Sequence, residues 1–195
     1  MRLSVQRFSA IAVVAVVCGT ATAGSPARTI EHPVLGSVVI GTGATDAKAD
    51  MAKLARFFSS VRESKAETPK CDVLFVYADV AADGSLRNSE RDLKAIIRES
   101  GAAIVVVASE NPPDHYMKLA ESEPHKGIFL VMTVERKGRV FRSFYETLFS
   151  RMSGGSDILS TWVELVPQDE STPPVIDAPS AMAVSDTGPI KFAKR

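Results

Sequence analysis

Apolar residues along this chain fall into two kinds of pattern. Val34 to Ile40, Asp72 to Ala78, Ala102 to Ala108 and Ile128 to Val134 are near-continuous apolar runs. Short runs of this kind predict strands buried on both faces, as in parallel sheets. Between them, apolar residues recur at helical spacing. Met51, Leu54, Phe57, Phe58 and Val61 form one stripe, which predicts a helix from Asp46 that closes before Thr68-Pro69. Leu93, Ile96 and Ile97 form a second, with Ser89 as its cap, Asp92 three residues on and Gly101 as its stop. Val140, Phe141, Phe144, Tyr145, Leu148, Phe149 and Met152 form a third, ended by Gly154-Gly155.

The remaining pattern is less regular. Residues 109–126 read as a long polar loop, with one helical turn at Met117 to Glu121. Ser156 to Ser160 predicts a helical turn, and Trp162 to Val166 a fifth strand. Beyond Pro167, Pro173, Pro174 and Pro179 predict extended loop. Ala181 to Val184 and Ile190 to Phe192 flank Asp186-Thr187-Gly188, which predicts a small terminal hairpin with Pro189 at an edge.

Strands alternating with helices predict an α/β fold. The expected form is a three-layer sandwich, with a mainly parallel sheet of about five strands, helices on both faces and a small C-terminal hairpin. Residues 34–168 would form this domain, with a linker over 24–33 and a Pro-bearing tail over 169–195. In open α/β sheets, ligands bind outside the carboxyl ends of the strands. Those ends are expected at Gly41-Thr42-Gly43, Asp79, Ser109-Glu110 and Thr133 to Glu135.

Charge changes the picture mainly at the N-terminus. The chain has 23 Lys+Arg and 23 Asp+Glu, and this balance argues against a nucleic-acid partner. Residues 1–23 carry Arg2 and Arg7 with no acid, then an apolar run from Ala10 to Val17, then Thr20-Ala21-Thr22-Ala23. A basic start, a short apolar middle and an A-x-A ending describe a secretory signal peptide. The alternatives are an uncleaved anchor and lipidation at Cys18, where Val17 is larger than the small residue such a site wants. Cleavage would leave 172 of the 195 residues, with Lys+Arg down by two to 21 and a net charge of −2. The expected address is periplasmic or secreted, with no membrane span once the signal is gone. Cys71 would then be the single cysteine, so no disulfide could form within the chain.

Candidate chemistry sits at the expected strand ends. Gly41-Thr42-Gly43-Ala44-Thr45-Asp46 has an acid where a dinucleotide fingerprint needs its third glycine, and no Gly-Lys-Ser/Thr follows. It reads as a tight turn leading to an acidic helix start. Asp79 and Asp83, with Ser109 and Glu110 on the next strand end, are the candidate catalytic residues. Asp114, His115 and His125 are the candidate metal ligands, without any His-x-x-x-His spacing. Ser109 has no G-x-S-x-G around it, so no nucleophile elbow is evident.

The loop Asp79 to Leu86, with Asp83-Gly84-Ser85, resembles the first motif of haloacid-dehalogenase-type phosphatases, strand-Asp-x-Asp-Gly-Thr. That resemblance implies Asp79 as nucleophile, Asp83 handling the leaving-group proton, Ser109 binding phosphate, and Mg²⁺ beside the carboxylates. Two extra residues separate the acids here. Three segments together resemble the caspase-like peptidase fold, including bacterial CHAT domains. Val38-Val39-Ile40-Gly41 with Asp46-Ala47 is similar to the family's first strand and following helix. Val73 to Val80 is similar to the strand carrying its catalytic His, and Val105 to Glu110 to the strand carrying its Cys. Asp79 and Ser109 stand where those two residues would be, which implies a degenerate member without peptidase chemistry.

The expectation is therefore an exported, non-catalytic α/β domain that binds a protein or small-molecule partner and needs no cofactor. One alternative is a phosphatase-like hydrolase using Asp79, Asp83 and Ser109. The other is a cell-envelope interaction protein acting through its C-terminal tail.

Overall fold

A computed structural model describes residues 16–18, 28–41, 44–64, 67–79, 81, 85–109, 128–133, 139–165, 180–185 and 189–194. Its strands are β1 (Val16–Cys18), β2 (Arg28–Ile30), β3 (Val34–Val39), β4 (Ser60–Ser64), β5 (Val73–Tyr77), β6 (Ile104–Ser109), β7 (Ile128–Thr133), β8 (Ser180–Ser185) and β9 (Ile190–Phe192). Its helices are α1 (Ala44–Leu54), α2 (Leu93–Ser100), α3 (Arg139–Ser153) and α4 (Ile158–Leu165), with a 3₁₀ turn over Ala55–Phe57.

The fold is α/β, as the alternation predicts. Seven strands form one sheet in the order β1-β8-β7-β6-β5-β3-β4, and β2 pairs with β9 in a second. From β4 to β7 every pairing is parallel, while β8 runs antiparallel to β7. Leu35, Phe75, Tyr77, Ile104 and Val106 face a core built with Met51, Leu54, Tyr145, Phe149 and Trp162 of α1, α3 and α4. Val38, Leu74, Val76, Val105 and Val107 face the other side, where Leu93, Ile96 and Ile97 of α2 cover them. Period-two alternation of fully apolar strands thus supplies both faces of a three-layer arrangement.

Several expected elements take a different form. The helix expected to run past Phe57 stops at Leu54, and Ser60–Ser64 is an edge strand beside β3. The spacing of Phe57, Phe58 and Val61 suits either element, and the open edge of β3 decides. Ser59 N donates to Pro33 O at 2.8 Å, which starts the parallel ladder. The exposed Arg62 and Glu63 are residues that an edge strand tolerates. Trp162 to Val166 is not a strand, because Ile158 to Leu165 is helical. Ile158, Trp162 and Leu165 fall on one buried stripe, and Asp157 Oδ1 caps the helix by accepting from Ser160 N at 2.9 Å.

The C-terminal hairpin does not form. β8 extends the main sheet, whereas β9 crosses to the α3 side and pairs parallel with β2. Burial of Ile30, Ile190 and Phe192 against Phe58 and Phe149 drives this choice. Arg28–Ile30, within the segment expected as linker, therefore forms a strand that buries Ile30, and the expected tail contributes two strands. The sheet is wider than the five strands expected. Val16–Cys18, within the expected export signal, lies parallel to β8 at the sheet edge. The α2 cap is Asp92, which accepts from Lys94 N at 3.1 Å, rather than Ser89, whose Oγ accepts from Arg91 N.

Candidate functional site

The crossover from β3 through α1 to β4 covers one face of the sheet, and α2 between β5 and β6 covers the other. The chain therefore changes face between β3 and β5. In doubly wound sheets that point opens a crevice at the carboxyl ends of the strands, where ligands bind. Gly41 turns away from β3 here with φ of 78°, a conformation that glycine adopts without a Cβ penalty.

Beside this point lies a cleft of about 580 Å³. Its lining is Ser37, Val39 and Gly41 from β3 and its exit, Ala47 and Lys48 from α1, and Glu63 and Ser64 from β4. The volume lies within the range of small-molecule sites, roughly 300–1,000 Å³. Ser37 and Glu63 are register partners across β3 and β4, so both belong to the sheet face beneath α1. Ser37 is only 3% exposed, and its hydroxyl makes no hydrogen bond to any described residue. Lys48 and Glu63 are exposed at the rim, and neither forms an ion pair among the described residues. Ser64 Oγ accepts from Glu67 N at 3.0 Å, which fixes the far end of β4.

A second polar group lies deeper, under α1. Asp50 is 3% exposed; Arg142 Nε of α3 donates to its Oδ1 at 2.9 Å, and Tyr77 OH donates to its Oδ2 at 3.2 Å. Burial, then the Asp50 carboxylate, push the Tyr77 hydroxyl well above its ordinary range. The same two causes act on Tyr145. Both phenols are therefore neutral, and the group ties α1, β5 and α3 together as a structural network. Cys71 is half-buried, and its thiol is pushed up to about 12, first by burial and then by Asp72. A thiol this protonated is a poor nucleophile.

The residues expected to carry chemistry are placed only in part. Asp79 lies just beyond β5, half-buried, with its backbone O accepting from Arg87 N at 2.9 Å. Ser109 is the last residue of β6, and the pairing of Tyr77 with Ala108 sets the two at adjacent strand ends. Asp83, Glu110, Asp114, His115 and His125 lie outside the described residues, as do the side chain of Ser109 and residues 167–179. Among the described residues, no group of three or more His, Cys, Asp or Glu side chains could hold a metal ion. Among them too, no helix is long and apolar enough to cross a membrane.

The cleft residues escape a reading of the sequence. Ser37 sits within an apolar run, and Glu63 and Ser64 fall where the stripe predicts a helix. The available signal is Ser37 itself, a polar residue inside an otherwise apolar strand. Comparison with protein-family models, curated proteins and solved structures returns no match.

Proposed function

We propose that this chain is an exported, non-catalytic α/β domain that binds a small ligand in the cleft between β3, β4 and α1. The observation that carries this reading is the position of the cleft, beside the point where the chain changes face of the sheet. Polar groups without a partner among the described residues support it: the hydroxyl of Ser37 on the floor, and Lys48 and Glu63, one charge of each sign, at the rim. The export signal read over residues 1–23 supports the address. The likeness to the caspase-like fold supports a binding role without turnover, because aspartate and serine occupy the positions of the family's His and Cys. The three segments that carry that likeness fall on β3, β5 and β6, which are neighbours in the sheet.

The test is turnover. Purified full-length protein should show no hydrolysis of p-nitrophenyl phosphate, with or without Mg²⁺, and no cleavage of peptide substrates. Hydrolysis that disappears in Asp79→Asn would overturn the reading. It would favour instead the Mg²⁺-dependent phosphatase-like alternative, which draws support from the adjacency of Asp79 and Ser109 at the ends of β5 and β6. An interaction role through the tail has less support, because Ser180–Ser185 and Ile190–Phe192 are integral strands.

A further inference from the structure

Resting on the reading of the cleft as a ligand site, we infer that its ligand is a small zwitterion, an α-amino acid with an apolar side chain. Lys48 and Glu63 line one cleft from opposite walls, α1 and β4, yet form no ion pair with each other. A ligand bearing both charges satisfies both walls at once, whereas a simple anion meets an opposing carboxylate and a simple cation an opposing ammonium. Between the two walls lies Ser37, a residue 3% exposed whose hydroxyl forms no hydrogen bond with any described residue, beside Glu63 in the strand register. It is placed to accept a hydrogen bond from an ammonium held by the Glu63 carboxylate. The ligand carboxylate goes to the Lys48 ammonium, a charge-assisted contact. Val39 and Ala47 offer the apolar surface for a side chain. A volume of about 580 Å³ leaves room for a side chain as large as leucine.

Calorimetry on the full chain at neutral pH tests this with three probes that share one side chain and differ in which charged groups they carry: L-leucine, L-leucinamide and 4-methylpentanoate. Leucine should bind one-to-one, with each of the others at least about tenfold weaker. Lys48→Met should abolish the preference for leucine over leucinamide. Glu63→Gln should abolish the preference for leucine over 4-methylpentanoate. Both residues are exposed, so both variants should fold. A single-charge probe that binds as tightly as leucine would overturn the inference and leave the cleft a ligand site. The same holds if none of the three binds while another small molecule shifts the backbone amides of Ser37 and Glu63. If no probe binds and no cleft amide responds to any compound, both the inference and the reading beneath it fall.

Discussion

Cys71 crosses β3 directly over Gly36: a Cβ added to Gly36 would lie 2.5 Å from Cys71 Sγ and 3.1 Å from Pro69 Cγ. Between the parallel strands β4 and β5, the described residues 67–72 contain no helix and lead the chain back across β3. The crossing lies on the α2 side of β3, held by Asp72 Oδ2 accepting from Val34 N at 2.8 Å and by Arg62 donating to Lys70 O at 2.9 Å. Thr68 and Arg91 join it to Glu99 of α2. Gly36→Ala should therefore destabilise the protein by about 1–3 kcal/mol, the cost of overpacking a filled site. Urea unfolding checks this, and an unchanged midpoint would count against the close crossing. Gly36→Ala combined with Cys71→Gly should recover most of the loss.

Burial at the same crossing governs the Cys71 thiol. Burial, then Asp72, push its pKa from an ordinary 9.0 up to about 12. The raised value means that the folded protein holds the proton more tightly than the unfolded chain. This contribution to stability is fully present below about pH 9 and is lost as the pH rises through about 12. At pH 8 the native thiol should react with a disulfide reagent far more slowly than in denaturant. Equal rates in the two states would contradict the packing described.

Asp50 holds α1 against α3 through Arg142 and Tyr77. Asp50→Ala removes the shared acceptor and leaves a guanidinium and a buried phenol without it. The expected loss is about 1–3 kcal/mol, with Asp50→Asn losing less because it keeps one acceptor oxygen. Thermal unfolding of both variants checks this. If Asp50→Ala matches the parent protein, the network contributes nothing measurable.

Asp79 and Ser109 are neighbours at the ends of β5 and β6, so the phosphatase-like alternative makes a definite claim about Mg²⁺. Calorimetric titration of the full chain with Mg²⁺ should give no heat of binding that Asp79→Asn removes. A Mg²⁺ isotherm lost in that variant would move the functional site from the cleft to the strand ends.

Legibility in the sequence follows the physics of each element. β5 and β6 are plain in the sequence because strands buried on both faces have almost no polar positions to interrupt them, and β3 and β7 are plain as apolar runs, broken in β3 only by Gly36 and Ser37. α3 is plain because seven apolar residues repeat at one period. β4 is not, because Phe57, Phe58 and Val61 fit a helical stripe and only the free edge of β3 draws the chain into a ladder. α4 reads as a strand because its eight residues include Trp162 and Val163 and give too little length to establish a period. β2 and β9 are three residues each, and their pairing depends on a core that forms across the length of the chain. The cleft is the least legible feature. Lys48, Glu63 and Ser64 are ordinary surface residues until α1 and β4 bring them to either side of Ser37.

Ligand binding between β3, β4 and α1 is tested most directly by amide chemical-shift mapping of the ¹⁵N-labelled full chain, titrated with L-leucine. Saturable shifts should centre on Ser37, Val39, Gly41, Ala47, Lys48, Glu63 and Ser64, and both Lys48→Met and Glu63→Gln should reduce them. Shifts centred on Asp79 and Ser109, with the cleft amides unmoved, would contradict binding there.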